Sequence, residues 1–302
     1  MGSYDPAMSR IGLIGMGRMG APICANLVSV ARAVAVHDVD PAREQAAWAC
    51  GATWCSSAPE TAAAADVLIT VLPGPADVDT VMSDAVLDAL APGATWIDLT
   101  SSSPTAAAPV RERARAHGVE VLEAPMGGGP DDARAGRLRL FVGGDGDLLA
   151  RHRPLLAAIA DPDAITHVGG PGAGYTIKLL VNMLWFGQAV ATAEALLLGR
   201  RAGIALDVLR DTFADSAASS EFIRRDLPSL LAGDYLASFG LDHIHDQLAT
   251  VTSLARDLAT PHDISEAVRR LHQQALKRYG PADGELLAVA LLEERTGIRL
   301  RE

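Results

Sequence analysis

Lysine is nearly absent. Of 26 basic residues only Lys178 and Lys277 are lysines, and the rest are arginine. A chain that uses arginine wherever a positive charge is wanted has a separate reason for each lysine it keeps. Aromatic residues are also scarce, 4% of 302 residues against 49% hydrophobic, so the core is expected to be Ala, Leu and Val. The three cysteines, Cys24, Cys50 and Cys55, form no CxxC pair. Odd in number, they read as free thiols of a reducing compartment. No apolar run approaches the roughly 20 residues of a membrane span, and the N-terminus carries no signal-peptide pattern. A cytoplasmic location without a membrane partner is therefore expected. Positive charge is in deficit, with a formal net charge of −11. Without a basic face to neutralise phosphates, nucleic acid is not an expected partner.

What the chain does have is glycine punctuation between apolar runs. Arg10–Ile14, Ala33–His37, Asp66–Leu72, Thr95–Leu99, Val119–Glu123 and Leu138–Val142 read as strands, separated by helical stretches such as Pro104–His117. Asp40-Pro41 opens a helix, with Asp as N-cap and Pro at the first position. Strands alternating with helices predict an α/β, Rossmann-like domain with a doubly wound parallel sheet over residues 8–170, Met8 being a plausible start. From Tyr175 to about Arg201 there is no proline, and a helix of about 40 Å is expected. Further helices follow at Leu206–Ala214, Ser219–Leu231, His243–Leu258, Ile264–Tyr279 and Gly284–Thr296. Residues 171–302 thus form an all-α domain begun by one long interdomain helix. Its apolar surface predicts a homodimer or a higher homo-oligomer.

Residues 15–20 are Gly15-Met16-Gly17-Arg18-Met19-Gly20, directly after a strand and opening a helix. In this GxGxxG the first glycine permits a tight turn, the second lets a pyrophosphate approach the backbone, and the third lets helix and strand pack. Asp38 ends the next strand, where a carboxylate accepts from adenosine ribose hydroxyls and repels a 2′-phosphate. The residue after it is Val39 rather than arginine, so NAD is favoured over NADP. Arg43, one turn into the next helix, is the residue that could still serve NADPH.

Four further stretches, Leu72-Pro73, DLTSSSP at 98–104, EAPMGGG at 123–129 and GAGYTIKLLVN at 172–182, follow GLIGMGRMGAPICANL in an order that resembles the β-hydroxyacid dehydrogenases of the 6-phosphogluconate dehydrogenase superfamily. That family includes 3-hydroxyisobutyrate dehydrogenase, tartronate semialdehyde reductase and the imine reductases. The resemblance implies that Lys178 gives or takes the proton and that Asn182 holds the substrate. It further implies that Leu72, Pro73 and Ser101 lie along the cofactor, with Ser101 also near the substrate, and that Met126–Gly129, chiefly Gly127 and Gly128, bind a substrate carboxylate. The residues agree with this. Hydride transfer from an alcohol leaves a proton for a nearby group to take. A lysine can take it when burial lowers its pKa, whereas arginine stays protonated. Lys178 and Asn182 stand i, i+4 on one helix face.

Three departures concern the substrate. Gly127 stands where acid-selective relatives carry serine, and Val181 where a second asparagine is common. Asp246 stands where a cofactor-contacting lysine is usual, or His245 on a one-residue shift. An Asp near the nicotinamide would suit a cationic or hydroxyl-rich substrate better than a carboxylate. His243, His245 and Asp246 are ligand types, but 243 and 245 point to different helix faces, and no metal is expected. Trp185, Phe186 and Glu194 read as packing residues. The leading expectation is an NAD(P)-dependent oxidoreductase for a small 3-hydroxy acid or its aldehyde or keto form. The alternatives are an imine reductase-like enzyme and a noncatalytic nucleotide-binding protein.

Overall fold

The computed structural model describes residues 9–237 and 239–301; Met8, the expected first residue of the N-terminal domain, lies outside them. The chain forms two compact units, the first ending at Lys178 and the second beginning at Leu179.

The first unit opens with β1 (Arg10–Ile14), α1 (Gly20–Val28) and β2 (Ala33–His37). Asp40 caps the next turn as expected, accepting from the Ala42 amide, but the turn is a short 3₁₀ segment, Pro41–Arg43, that feeds α2 (Glu44–Cys50). Then come β3 (Thr53–Trp54), α3 (Ala58–Ala63), β4 (Val67–Thr70), α4 (Pro75–Val81) and α5 (Asp84–Ala89). β5 (Thr95–Asp98), α6 (Pro104–Ala116) and β6 (Glu120–Glu123) follow. The unit continues with β7 (Met126–Gly127), α7 (Pro130–Arg134), β8 (Leu138–Gly143), α8 (Gly146–Leu156) and β9 (Ala160–Gly169).

The strand order is β3-β2-β1-β4-β5-β6-β8-β7, with β9 also on β8. From β3 to β6 every pairing is parallel. The sheet is not parallel throughout, however, because β8 runs antiparallel to both β6 and β7. Alternate residues of the central strands serve two layers. Val67, Ile69 and Ile97 join the core under α1, while Leu68 and Trp96 pack with Val78, Met82, Leu87 and Val110 on the other face. Strands buried on both faces read as continuous apolar runs, which is why the sequence shows them plainly.

α9 (Ala173–Arg201) runs 29 residues. By length and composition it could cross a membrane, contrary to the expectation that no stretch would. Its Phe186, Ala189, Val190, Ala193, Leu196 and Leu197 are instead core residues of the second unit. There it packs with α10 (Leu206–Ala214), α11 (Leu227–Leu231, entered by a π-helical turn at Phe222–Asp226), α12 (Leu241–Asp257), α13 (Asp263–Tyr279) and α14 (Leu287–Thr296). Trp185 is half-buried and its indole donates to Asp226 (2.7 Å), Phe186 is buried against His272, and Glu194 is exposed.

Candidate active site

The chain between β1 and α1 is shaped by its glycines. Gly15 has φ +102°, and a Cβ there would stand 2.1 Å from the Val71 carbonyl oxygen. A Cβ on Gly20 would stand 1.9 Å from the Gly15 carbonyl oxygen. Around Gly17 no atom lies within 4 Å of that position. The first and third glycines therefore close the turn, and the middle one leaves room for a pyrophosphate to reach the backbone. This cradle at the start of α1 fits a dinucleotide, whose nicotinamide accepts or donates the hydride when bound.

Asp38 follows β2 and lies against this loop. Its Oδ2 accepts from the Met16 amide at 2.6 Å and its Oδ1 from the Asp40 amide at 2.8 Å. The Met16 amide is thus engaged by Asp38, and the Met16 side chain is buried in the core. Arg18 is exposed and Met19 half-buried. Leu72, just past β4, donates its amide to Thr100 Oγ1 (3.1 Å), and its side chain comes within 3.4 Å of the Gly15 Cβ position. Pro73 is exposed beside it, and Ser101 is half-buried just after β5. These residues gather at the C-terminal ends of β1, β2, β4 and β5, where open α/β sheets bind ligands.

The stretch after β6 turns back on itself. Met126 and Gly127 pair with Leu140 and Arg139 of β8. Gly128 has φ +106°, and the Gly129 amide donates to Asp132 Oδ2 at 3.1 Å, which caps α7. A side chain at 128 would meet that carboxylate at 2.9 Å.

The helical turn that leads to Lys178 is held by two buried acids that the sequence reading did not single out, through Tyr175 and Gly174. Asp98, 1% exposed, accepts from Thr70 Oγ1 (2.7 Å), the Thr100 amide (3.0 Å) and the Tyr175 hydroxyl (2.6 Å). Thr70 in turn accepts from the Trp96 indole. Glu123, also buried, accepts from the Gly174 amide at 2.8 Å. Burial raises the pKa of both acids above the usual carboxylate value, and the hydrogen bonds they accept offset this only in part. Burial, together with the Asp98 charge, pushes the Tyr175 phenol well above its usual value. The two acids fix the first turn of α9, and half-buried Lys178 follows Tyr175 by three residues. The signal for them was the carboxylate that ends an apolar stretch of strand, TWID at 95–98 and VLE at 121–123.

Asn182 lies one turn beyond Lys178. It is half-buried, and its Nδ2 donates to Gln247 Oε1 at 2.5 Å. Gln247, on α12, is a further partner that the sequence reading missed. Its neighbour Asp246 is exposed on the same helix. Among the described residues no group of three or more His, Cys, Asp or Glu side chains is gathered as metal ligands would be.

Residues 10–169 match the family described as the NAD binding domain of 6-phosphogluconate dehydrogenase. Residues 172–292 match that described as NAD-binding of NADP-dependent 3-hydroxyisobutyrate dehydrogenase. The chain belongs to the 3-hydroxyisobutyrate dehydrogenase-like, β-hydroxyacid dehydrogenase family. As a β-hydroxyacid dehydrogenase family member it is an NAD(P)-dependent dehydrogenase or reductase acting on a CH–OH group. It is similar to 2-(hydroxymethyl)glutarate dehydrogenase of Eubacterium barkeri, 31% identical over 83% of this chain and 84% of that protein. It is also similar to a probable 3-hydroxyisobutyrate dehydrogenase of Mycobacterium bovis, 37% identical over 73% of this chain and 74% of that protein. Among solved structures, the 3-hydroxyisobutyrate dehydrogenase of Mycobacterium tuberculosis with L-serine superposes with a TM-score of 0.86 at 29% identity, over 94% of this chain and 99% of that one.

Proposed function

We propose that the protein moves hydride between a nicotinamide cofactor and the carbinol carbon of a small 3-hydroxy acid, or back to its aldehyde or keto form. Lys178 takes the hydroxyl proton in oxidation and returns it in reduction. The observation that carries this reading is the double clamp on the first turn of α9, Tyr175 on Asp98 and Gly174 on Glu123. A lysine needed only for charge requires no such anchoring, whereas a proton-transfer group must hold hydrogen-bond distance to the reacting oxygen. Asn182, one turn on, orients the substrate, and its Nδ2 bond to Gln247 leaves Oδ1 free to accept from a substrate hydroxyl. The turn at Gly127 and Gly128 receives the acid group, with the Gly128 amide as donor. Asp38, with a carboxylate fixed beside the glycine loop, supports NAD over NADP. Relatives named for hydroxy-acid substrates support the same class.

A second reading is an imine reductase-like activity. It draws on the missing side chain at Gly127 and the exposed carboxylate of Asp246. A panel of 3-hydroxy acids, plain alcohols and cyclic imines, followed by NADH absorbance, separates the two. Turnover of hydroxy acids is expected, and turnover of imines alone overturns the first reading. The apolar residues exposed on α9, Leu180, Val181, Leu184 and Leu198, support a homodimer, which light scattering tests.

A further inference from the structure

Along β8 the side chains divide sharply. Leu138, Leu140 and Val142 are fully buried, while Arg139 is exposed and Phe141 half-buried on the opposite face. Gly127 pairs directly with Arg139 and opens onto that same face. A Cβ on Gly127 would stand 3.4 Å from Arg139 Cβ and 3.5 Å from the Phe141 ring. With no side chain at 127, a space of about one methyl group remains over the Gly127 backbone, with the base of the Arg139 side chain on one side and the edge of the Phe141 ring on the other. Phe141 also ties this strand to the start of α9. The backbone carbonyl of Phe141 packs against Gly174, where a Cβ would meet it at 2.5 Å, and Gly174 is one helical turn before Lys178.

Arg139 makes no hydrogen bond or ion pair with any described residue, whereas Arg10, Arg113, Arg134 and Arg151 all have carboxylate partners. The nearby acids are otherwise engaged. Asp131 pairs with Arg134, and Asp132 caps α7 through the Gly129 amide. In a chain of net charge −11, a cation kept beside a glycine loop without an acid to neutralise it is available to an anion from solution.

We propose that Arg139 is the substrate's anion-binding side chain, taking a carboxylate in bidentate fashion beside Gly127, with the substrate's apolar carbons over Phe141. The inference rests on the hydroxy-acid reading of the site and deepens it. Selectivity for the acid group comes from a strand arginine, with Gly127 supplying the room. A planar guanidinium matches both carboxylate oxygens, which an ammonium does not.

The test is direct binding of malonate, a non-reacting dicarboxylate, to the full chain with NADH present, by titration calorimetry on wild type, Arg139→Met and Arg139→Lys. Malonate affinity is expected to fall by about tenfold or more in Arg139→Met and by less in Arg139→Lys, as loss of a bidentate charged pair requires. In parallel, the kcat/KM preference for a hydroxy acid over its methyl ester should fall by a similar factor in Arg139→Met. Equal malonate affinity in wild type and Arg139→Met, or no malonate binding by wild type, overturns the inference. Arg139-dependent malonate binding in an enzyme that turns over no hydroxy acid would overturn the proposed reaction and leave the anion site standing. Arg139 is exposed and unpaired, so unchanged thermal unfolding of Arg139→Met serves as the control for folding.

Discussion

The Tyr175 hydroxyl donates to Asp98 Oδ2 at 2.6 Å, joining residues 77 apart in the chain inside the first unit. Tyr175→Phe removes the donor and leaves a buried carboxylate oxygen without it, at a cost of about 1–3 kcal/mol. Denaturant unfolding should read that loss. Turnover should fall through kcat more than KM, because the turn carrying Lys178 loses one of its two anchors. Unchanged stability and kcat would show that the pair holds nothing in place.

Lys178→Ala should lower kcat by roughly two to four orders of magnitude while NADH binding, measured by fluorescence titration, stays intact. Lys178→Arg keeps the charge but cannot give up its proton, and it should be as inactive as the alanine variant. Near-normal turnover by either variant removes the proton-transfer role.

The three loop glycines should separate fold from cofactor. Gly15→Ala places a Cβ at φ +102° and 2.1 Å from a carbonyl oxygen, so it should lower the unfolding temperature. Gly17→Ala meets no protein atom within 4 Å, so its melting should match wild type while NADH affinity drops. Equal NADH affinity in Gly17→Ala would mean that the pyrophosphate does not lie over residue 17.

Asp38→Ala should narrow the preference for NADH over NADPH, read as the ratio of KM values. A wild type that prefers NADPH contradicts the role given to Asp38.

Burial pushes His152 and His272 down to about 4. Above pH 6.5 both are neutral folded and unfolded. Between pH 6.5 and about 4 the unfolded chain takes up protons that the folded one refuses, so stability is lost as pH falls through that window. Each contributes at most roughly 3 kcal/mol. Urea unfolding of His272→Leu from pH 7 to 4 should show a shallower decline than wild type, and parallel curves would refute the assignment.

The glycine loop and the central strands could be read from the sequence because each rests on local chemistry. Close contacts demand glycine at fixed spacing, and burial on both faces demands unbroken runs such as VLIT at 67–70. β7 and β9 could not. β7 is two residues long and exists only through pairing with β8, and β9 (ADPDAITHVG) carries acids and a proline without alternation. The same return of chain hid Arg139, since nothing local places residue 139 opposite residue 127. Lys178 and Asn182 were visible because a helix repeats every turn. Gln247, 65 residues further on, and the acids behind Tyr175 and Gly174 are tertiary partners with no local signature. Asp98 and Glu123 showed only as acids ending apolar strands, which by itself does not say what they bind.

The unequal exposure of the two lysines has a use at the bench. Lys277 is exposed on α13, whereas Lys178 is half-buried on α9. With only these two side-chain amines in the molecule, reagents that label amines act almost as site-directed probes. An acid-bearing aldehyde, trapped on the protein by borohydride, should tag Lys178 in preference to Lys277, and a saturating substrate should protect it. Peptide mapping would then report the fraction of sites occupied, without any assay of turnover.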